Sequence, residues 1–559
     1  MTSNRMVTLD IVRGLCIMGM VGVHIFRRTY DLTWLGTEAM ADKSMLHLVT
    51  LFLIAYIGGM AGLFLMVSTV SHTLSIREQL KAGKPLNGVI AKQIMSGFLL
   101  LAFAFLVESV LGQHGFFGRM AYTPLVGDMS FGDSILQNAS VILYRGFHFM
   151  TLHTIAWAII VNSVIQWFLL RKGGVEKVSR NVKVYLGLIA GVIVLSPIMW
   201  AFASWVVPGY PFATYPGTDR IVQYPLEGVS TVVDYVILFA LGPLAGQTEP
   251  LFPFLFISFI GAIIGLYLSM DRPPKYLPHK GMKIGGAMFF IGLFGMVLML
   301  VTGLDSIDNI MGDPYGILRM NIWLPLLLFT TGGQLMFLMM LIRMIEYRNI
   351  SEKAAQKTVM IRRFAVVSLS VYTFQWMDAL VLHIVSHIPG VSVFNGRDDF
   401  FWAVFSVIAV IVFWNIILKL WEKADFRGSA EWALAVVMKQ MNNIIKGGRS
   451  TSDGARWYLV PKLNVLRDES KVRWMDLMPN DLTGPDKERD SRMSYWLSIV
   501  GLVFIPFLVP AYVLAKNSIG SEGPNRFNAL SMRISRIGMG WASMIVFYMS
   551  QVKGFVLGG

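Results

Sequence analysis

Apolar residues in this chain do not alternate; they run. Windows of roughly 20 apolar residues with few charges recur at 7–27, 46–74, 89–110, 149–170, 184–206, 250–269, 283–303, 321–344, 363–387 and 399–420, and a further pair lies at 494–515 and 535–553. A run of that length crosses the hydrocarbon core of a bilayer as a helix. In lipid only helices and closed barrels satisfy their own backbone N–H and C=O groups, and the lack of a two-residue period selects helices. One shorter run, 230–246, is bounded by Glu227 and Asp234 at its start and by Gly246 at its end. It is marginal for a crossing and reads as a re-entrant or interfacial element. The predicted fold is an all-α polytopic membrane protein. It has about ten core transmembrane helices, that one short element and a two-helix C-terminal extension. The chain divides into three regions: a transmembrane core over 1–421, a cytoplasmic amphipathic helix and linker over 422–493, and a membrane extension over 494–559. Within the linker, 430–445 is patterned to lie on a membrane surface.

Charge sets the orientation. Lys and Arg cluster in the connections 76–92, 171–183, 271–283 and 347–363, whereas 111–148, 207–229, 304–320 and 388–398 are poor in them. Cytoplasmic basic loops make every crossing alternate, provided 230–246 does not cross, and they leave the N-terminus cytoplasmic. The expected location is a prokaryotic cytoplasmic membrane. Of 559 residues, 55% are hydrophobic and 15% charged, and the mean hydropathy is +0.58; soluble domains carry about 25% charge. The net charge of +14 sits in the loops, so the bilayer is the expected partner and nucleic acid is not. The lone Cys16 precludes an intrachain disulfide. The first apolar segment carries Asp10 and Arg13 and lacks a small-residue cleavage site, so it reads as a retained helix.

Polar groups kept inside apolar runs are candidates for function, because a central charge costs roughly 2.5–3.5 kcal/mol to insert. The first run holds Asp10, Arg13 and His24. On a helix Arg13 and His24 differ by about 20° in direction and about 16 Å in height, and Asp10 lies about 40° to the other side. The three share a face. The bland alternative pairs Asp10 with Arg13 at the interface and lets His24 snorkel. The run 363–387 holds Ser368, Ser370, Tyr372, Gln375, Asp378 and His383, and Glu108, Arg145, His148 and His153 lie at outer helix ends. The outer half also collects His24, His47, His114, His383 and His387. His383 and His387 are four apart, a metal-compatible spacing, but no third ligand is specified and no metal is expected. Gly58, Gly59 and Gly62 read as close helix packing.

Two stretches carry a resemblance. RMVTLDIVRGLCIMGMVGVHIF resembles the opening of membrane-bound acyltransferases, and the Arg13-to-His24 spacing is similar to that of the acyltransferase-three family. Heparan-alpha-glucosaminide N-acetyltransferase and YeiB-type proteins share the Asp10 and Arg13-Gly14 part. The second stretch, 363–434, resembles the YeiB-type C-terminal region at Ser368, Leu369, Tyr372, Gln375, Phe426, Gly428, Glu431 and Trp432, with Ala430 in place of that family's Pro. The resemblance implies transfer of an acyl group from cytoplasmic acyl-CoA, acetyl-CoA first, to a hydroxyl or amine acceptor such as a glycan at the outer face. Arg13 and Lys92 would bind the donor's phosphates, His24 would act as base or be transiently acylated, and Asp10 would hold Arg13. Tyr372, Gln375, Asp378, His153 and Glu108 are the candidates for acceptor binding. A non-enzymatic subunit or scaffold, docking protein partners through 446–559, and a transporter are the competing readings.

Overall fold

The computed structural model describes residues 4–30, 60–126, 146–147, 149–207, 232–245, 249–303, 323–388, 400–445, 466, 472–477, 489–503 and 507–540. Its first half comprises α1 (Val7–Thr29), α2 (Met60–Lys81), α3 (Leu86–Leu106), α4 (Phe116–Val126), α5 (Thr151–Leu170), α6 (Val178–Val206) and α7 (Val232–Ala245). Then come α8 (Leu251–Leu268), α9 (Leu277–Val301) and α10 (Trp323–Ile345). Eight helical stretches among the described residues are long and apolar enough to cross a membrane. The protein is a helical integral membrane protein. The run expected from 46 enters the described residues only at Met60, and the end of the 535–553 run lies outside them, as do His47, Gly58, Gly59, Arg145 and His148. The described part of α7 has 14 residues, about 21 Å.

The run 363–387 is not one helix. It is divided into α11 (Ser351–Lys357) before it, then α12 (Val359–Val366), α13 (Ser368–Thr373), a 3₁₀ turn at Gln375–Met377 and α14 (Asp378–Ser386). The interruptions fall at Val367 (φ −123°, ψ 40°) and Phe374 (φ −98°, ψ 16°). A break inside lipid frees amides that water cannot satisfy. Here Glu431, at the start of α16 (Ala430–Ile445), takes them: its Oε1 accepts from Leu369 N at 2.6 Å and Ser370 N at 3.3 Å, and Oε2 accepts from Ser370 Oγ at 2.6 Å. Hydropathy does not register such a break, because the residues on both sides stay apolar. α15 (Phe400–Lys423) covers the other side of α1 and α12.

The C-terminal extension also departs from expectation. The run 494–515 is two antiparallel arms, α17 (Arg489–Val503) and α18 (Leu508–Glu522), each 15 residues or about 22 Å long. Their ends meet: Glu522 accepts from Asp490 N at 2.6 Å and from Ser491 N at 3.0 Å. Each arm is shorter than a helical crossing. Met493, Leu497, Phe507 and Leu514 pack into the main core, and Asp490 binds Arg343 and Arg348 of the α10 end at 2.7 and 2.5 Å. Part of the expected linker is likewise fixed. Asn4–Arg5 (β1) pairs in parallel with Arg473–Trp474 (β2), Met475 N donates to Arg5 O at 2.9 Å, and Leu477 N donates to Glu346 O at 2.8 Å.

These contacts lie at the end where the basic connections gather. There Glu346 caps α1, accepting from Thr8 N at 2.8 Å and Thr8 Oγ1 at 2.5 Å. Lys81 pairs with Asp271, Tyr347 OH donates to Pro274 O at 2.9 Å, and Arg363 pairs with Glu422 at 2.6 Å. Salt-bridged loops therefore close one end of the bundle. Farther in, helices are joined by hydrogen bonds and close approach, since lipid supplies no hydrophobic drive between them. Thr69, Ser258, Asn162 and Tyr185 form a chain linking α2, α8, α5 and α6. α9 and α10 cross so closely that a Cβ on Gly292 would sit 2.3 Å from Phe329 N.

Replacing Asp490 with Ala leaves Arg343 and Arg348 without their shared anion. Removing one partner of a buried pair costs about 3–5 kcal/mol. Thermal unfolding in detergent is expected to fall accordingly, with faster amide exchange across 489–522. Glu249, between α7 and α8, is half-buried, and desolvation pushes its carboxyl up to about 7, against an opposing hydrogen bond from Thr151. Such a group contributes fully below its unfolded value and loses that contribution as the pH rises through the folded value. Glu249→Gln is thus expected to raise the melting temperature above pH 7 and to match wild type near pH 4.5.

Candidate functional site

α1 brings His24 against two irregular segments. One is the end of α3, which widens into a π-helical turn at Val107–Leu111 and then turns at Gly112, presenting Gln113 and His114. A π turn shifts the register of the residues after it, and such turns are frequent at functional sites. The other is the 3₁₀ turn at Gln375–Met377. The two are tied together: buried Glu108, in the π turn, accepts from Tyr372 OH of α13 at 2.7 Å.

His24 Nδ1 lies 2.9 Å from Gln375 Oε1 and 2.7 Å from Gln113 Nε2. Gln113 Nε2 is also 3.1 Å from His114 Nε2, and Arg28 Nη2 reaches Gln113 Oε1 at 3.4 Å. The Arg28 guanidinium sits 3.6 Å from the Tyr122 ring centre, a cation–π contact. One turn past Gln375, Asp378 accepts from Trp414 Nε1 at 2.5 Å through Oδ1. Asp378 Oδ2 and Gln375 Nε2 are both buried, and the Gln375 side chain lies beside the Asp378 carboxylate.

One nitrogen cannot donate to an amide oxygen and accept from an amide nitrogen at once. Turning over either amide removes the conflict at Nδ1, and a reversed Gln113 gives up its contact with Arg28 in doing so. With Gln113 reversed, Nδ1–H donates to Gln375 and Nε2 keeps its lone pair. With Gln375 reversed, Nδ1 accepts and Nε2 carries the proton. In both arrangements Nε2, unpartnered among the described residues, is the ring atom left for a ligand.

Of the other sequence candidates, Gln375 touches His24, Asp378 follows it by one turn, and Tyr372 and Glu108 pair with each other. Asp10 does not hold Arg13; Arg5 takes it through Nε at 2.6 Å and Nη2 at 3.0 Å, because β1 brings Arg5 back over the start of α1. Arg13 makes no ion pair or hydrogen bond among the described residues, with Asp10 and Arg5 as charged neighbours. Arg13, Met20 and His24 form a half-buried stripe between two packed faces. Leu9, Val12 and Cys16 pack on one side, and Ile17, Val21 and Ile25 on the other. Gly14 permits this arrangement, since a Cβ there would lie 2.1 Å from Ile361 O of α12. His153 stands apart in an aromatic nest, its ring 4.9 Å from that of Phe105 and 5.5 Å from that of Phe149. Lys92 is exposed on α3, which packs on α5 and α2. His383 and His387 are only partly covered, with rings 4.5 Å apart, and among the described residues no cluster of three metal-ligating side chains occurs.

Sequence reasoning missed Gln113, Arg28, Tyr122 and Trp414. Arg27 and Arg28 carried a signal, being cations at the end of α1 opposite the basic loops. Gln113 and Tyr122 sat in a connection with no periodicity to orient them.

Glu431→Ala removes the acceptor for two amides at the break. A buried unsatisfied group costs about 1–3 kcal/mol, so amide exchange over 367–377 is expected to accelerate and thermal stability to fall, with Glu431→Gln intermediate. Compared with family models and with curated proteins, the sequence matches none.

Proposed function

We propose that this protein transfers an acyl group from acyl-CoA, taken from the cytoplasm at the basic end, to a hydroxyl or amine acceptor reaching His24 from the opposite side. The observation that supports this most is the convergence of a π turn and a broken helix on one histidine whose Nε2 is unpartnered among the described residues, above an arginine on the same stripe of α1. Arg13, which pairs with no carboxylate among the described residues, suits the donor's phosphates. Gln375 accepting from Nδ1–H holds the ring so that Nε2 is basic. As the acceptor oxygen or nitrogen attacks the thioester carbonyl, Nε2 takes its proton. The C–S bond breaks, the new C–O or C–N bond forms, and the proton passes to the departing CoA sulfur. Arg28 and Asp378 line the acceptor side. A second reading, a transporter, draws support from the same broken helix, since discontinuous helices line solute sites; a proteoliposome flux assay without thioester cleavage would favour it.

The test is release of CoA thiol from acetyl-CoA by the full-length protein in proteoliposomes supplied with hydroxyl and amine acceptors. His24→Ala is expected to lower the rate about 10²–10⁴-fold. Gln375→Glu, which can only accept, should retain activity, whereas Gln375→Met should lose it. Unchanged turnover in His24→Ala, or no thermal shift of the wild type by CoA, would overturn the proposal.

A further inference from the structure

α3 and α16 enclose an open groove of about 580 Å³ lined by Ala91, Ile94, Met95, Phe98, Leu99 and Met441. All six residues are apolar, and the volume lies within the roughly 300–1,000 Å³ of small-ligand sites. One wall is the outer stripe of α3. The other, α16, is anchored at its start: Ala430 N donates to Ser370 Oγ at 2.8 Å and Glu431 holds the α13 amides. Met441 of α16 borders the groove, which otherwise lies along α3.

Its two ends differ chemically. Lys92 lies on the same stripe as Met95 and Leu99; seven residues separate it from Leu99, about 20° around the helix and about 10 Å along it. The Lys92 side chain is exposed and makes no ion pair or hydrogen bond among the described residues. It stands near the start of α3, at the basic end of the bundle, where lipid phosphates lie, while Phe98, 52% exposed, points the groove toward the apolar interior.

We infer that this groove holds one acyl chain of an anionic phospholipid from the leaflet at the basic end, with the phosphate on Lys92. The site is separate from the His24 cluster and does not depend on the acyl-transfer reading. A chain along Ile94–Leu99 with its headgroup at Lys92 matches cation to anion and methylene to aliphatic surface.

Native mass spectrometry of the full-length protein in detergent, titrated in parallel with phosphatidylglycerol and phosphatidylcholine of identical chains, tests this. The first phosphatidylglycerol is expected to bind about fivefold more tightly, the equivalent of ~1 kcal/mol for one surface lysine. Lys92→Gln, an exposed change that leaves the fold intact, should erase the headgroup preference while keeping the first bound lipid. Ala91→Trp, which fills the groove, should remove that first lipid for both headgroups. Equal binding of the two lipids to wild type, a preserved preference in Lys92→Gln, or undiminished occupancy in a folded Ala91→Trp would each overturn the inference.

Discussion

A backbone amide released inside a membrane has no water to turn to, and this constraint organises the protein. At three helix starts a carboxylate from another segment of the chain answers. Glu431 serves the amides freed before α13, Glu346 serves the start of α1, and Glu522 serves the start of α17. Each link joins segments about 30 or more residues apart in the chain. The irregular elements persist only because the tertiary structure supplies their acceptors.

The same constraint gives the candidate site its character. A π turn after α3 and a 3₁₀ turn between α13 and α14 point side chains in directions a regular helix cannot. Glu108 and Tyr372 lock the two irregularities together, and His24 meets both through Gln113 and Gln375. The Asp378 carboxylate and the Gln375 amide lie side by side within one turn at this meeting point, both buried.

The basic end obeys different physics. Its ion pairs and hydrogen bonds tie loops together, and residues 473–477 and the α17–α18 hairpin are bound into it by backbone pairing and by Asp490. The described C-terminal segments are consequently part of the packed body. Lys92 faces outward on this rim, beside the groove bordered by α16.

The helical membrane body and the positions of most of its long apolar helices were legible in the sequence, because apolar length acts locally along the chain. So was the shared face of Arg13 and His24, which comes from helix period alone, and so were Tyr372, Gln375, Asp378 and Glu108 as polar groups too costly to lie in lipid without cause. The tertiary structure alone decided that 363–387 breaks, that 494–515 folds back on itself, that Asp10 belongs to Arg5, and that Gln113, Arg28 and Trp414 join the site. The physical reason is common to all four: each depends on a hydrogen-bond partner brought in by tertiary contact, and hydropathy and periodicity carry no information about which acceptor will be there.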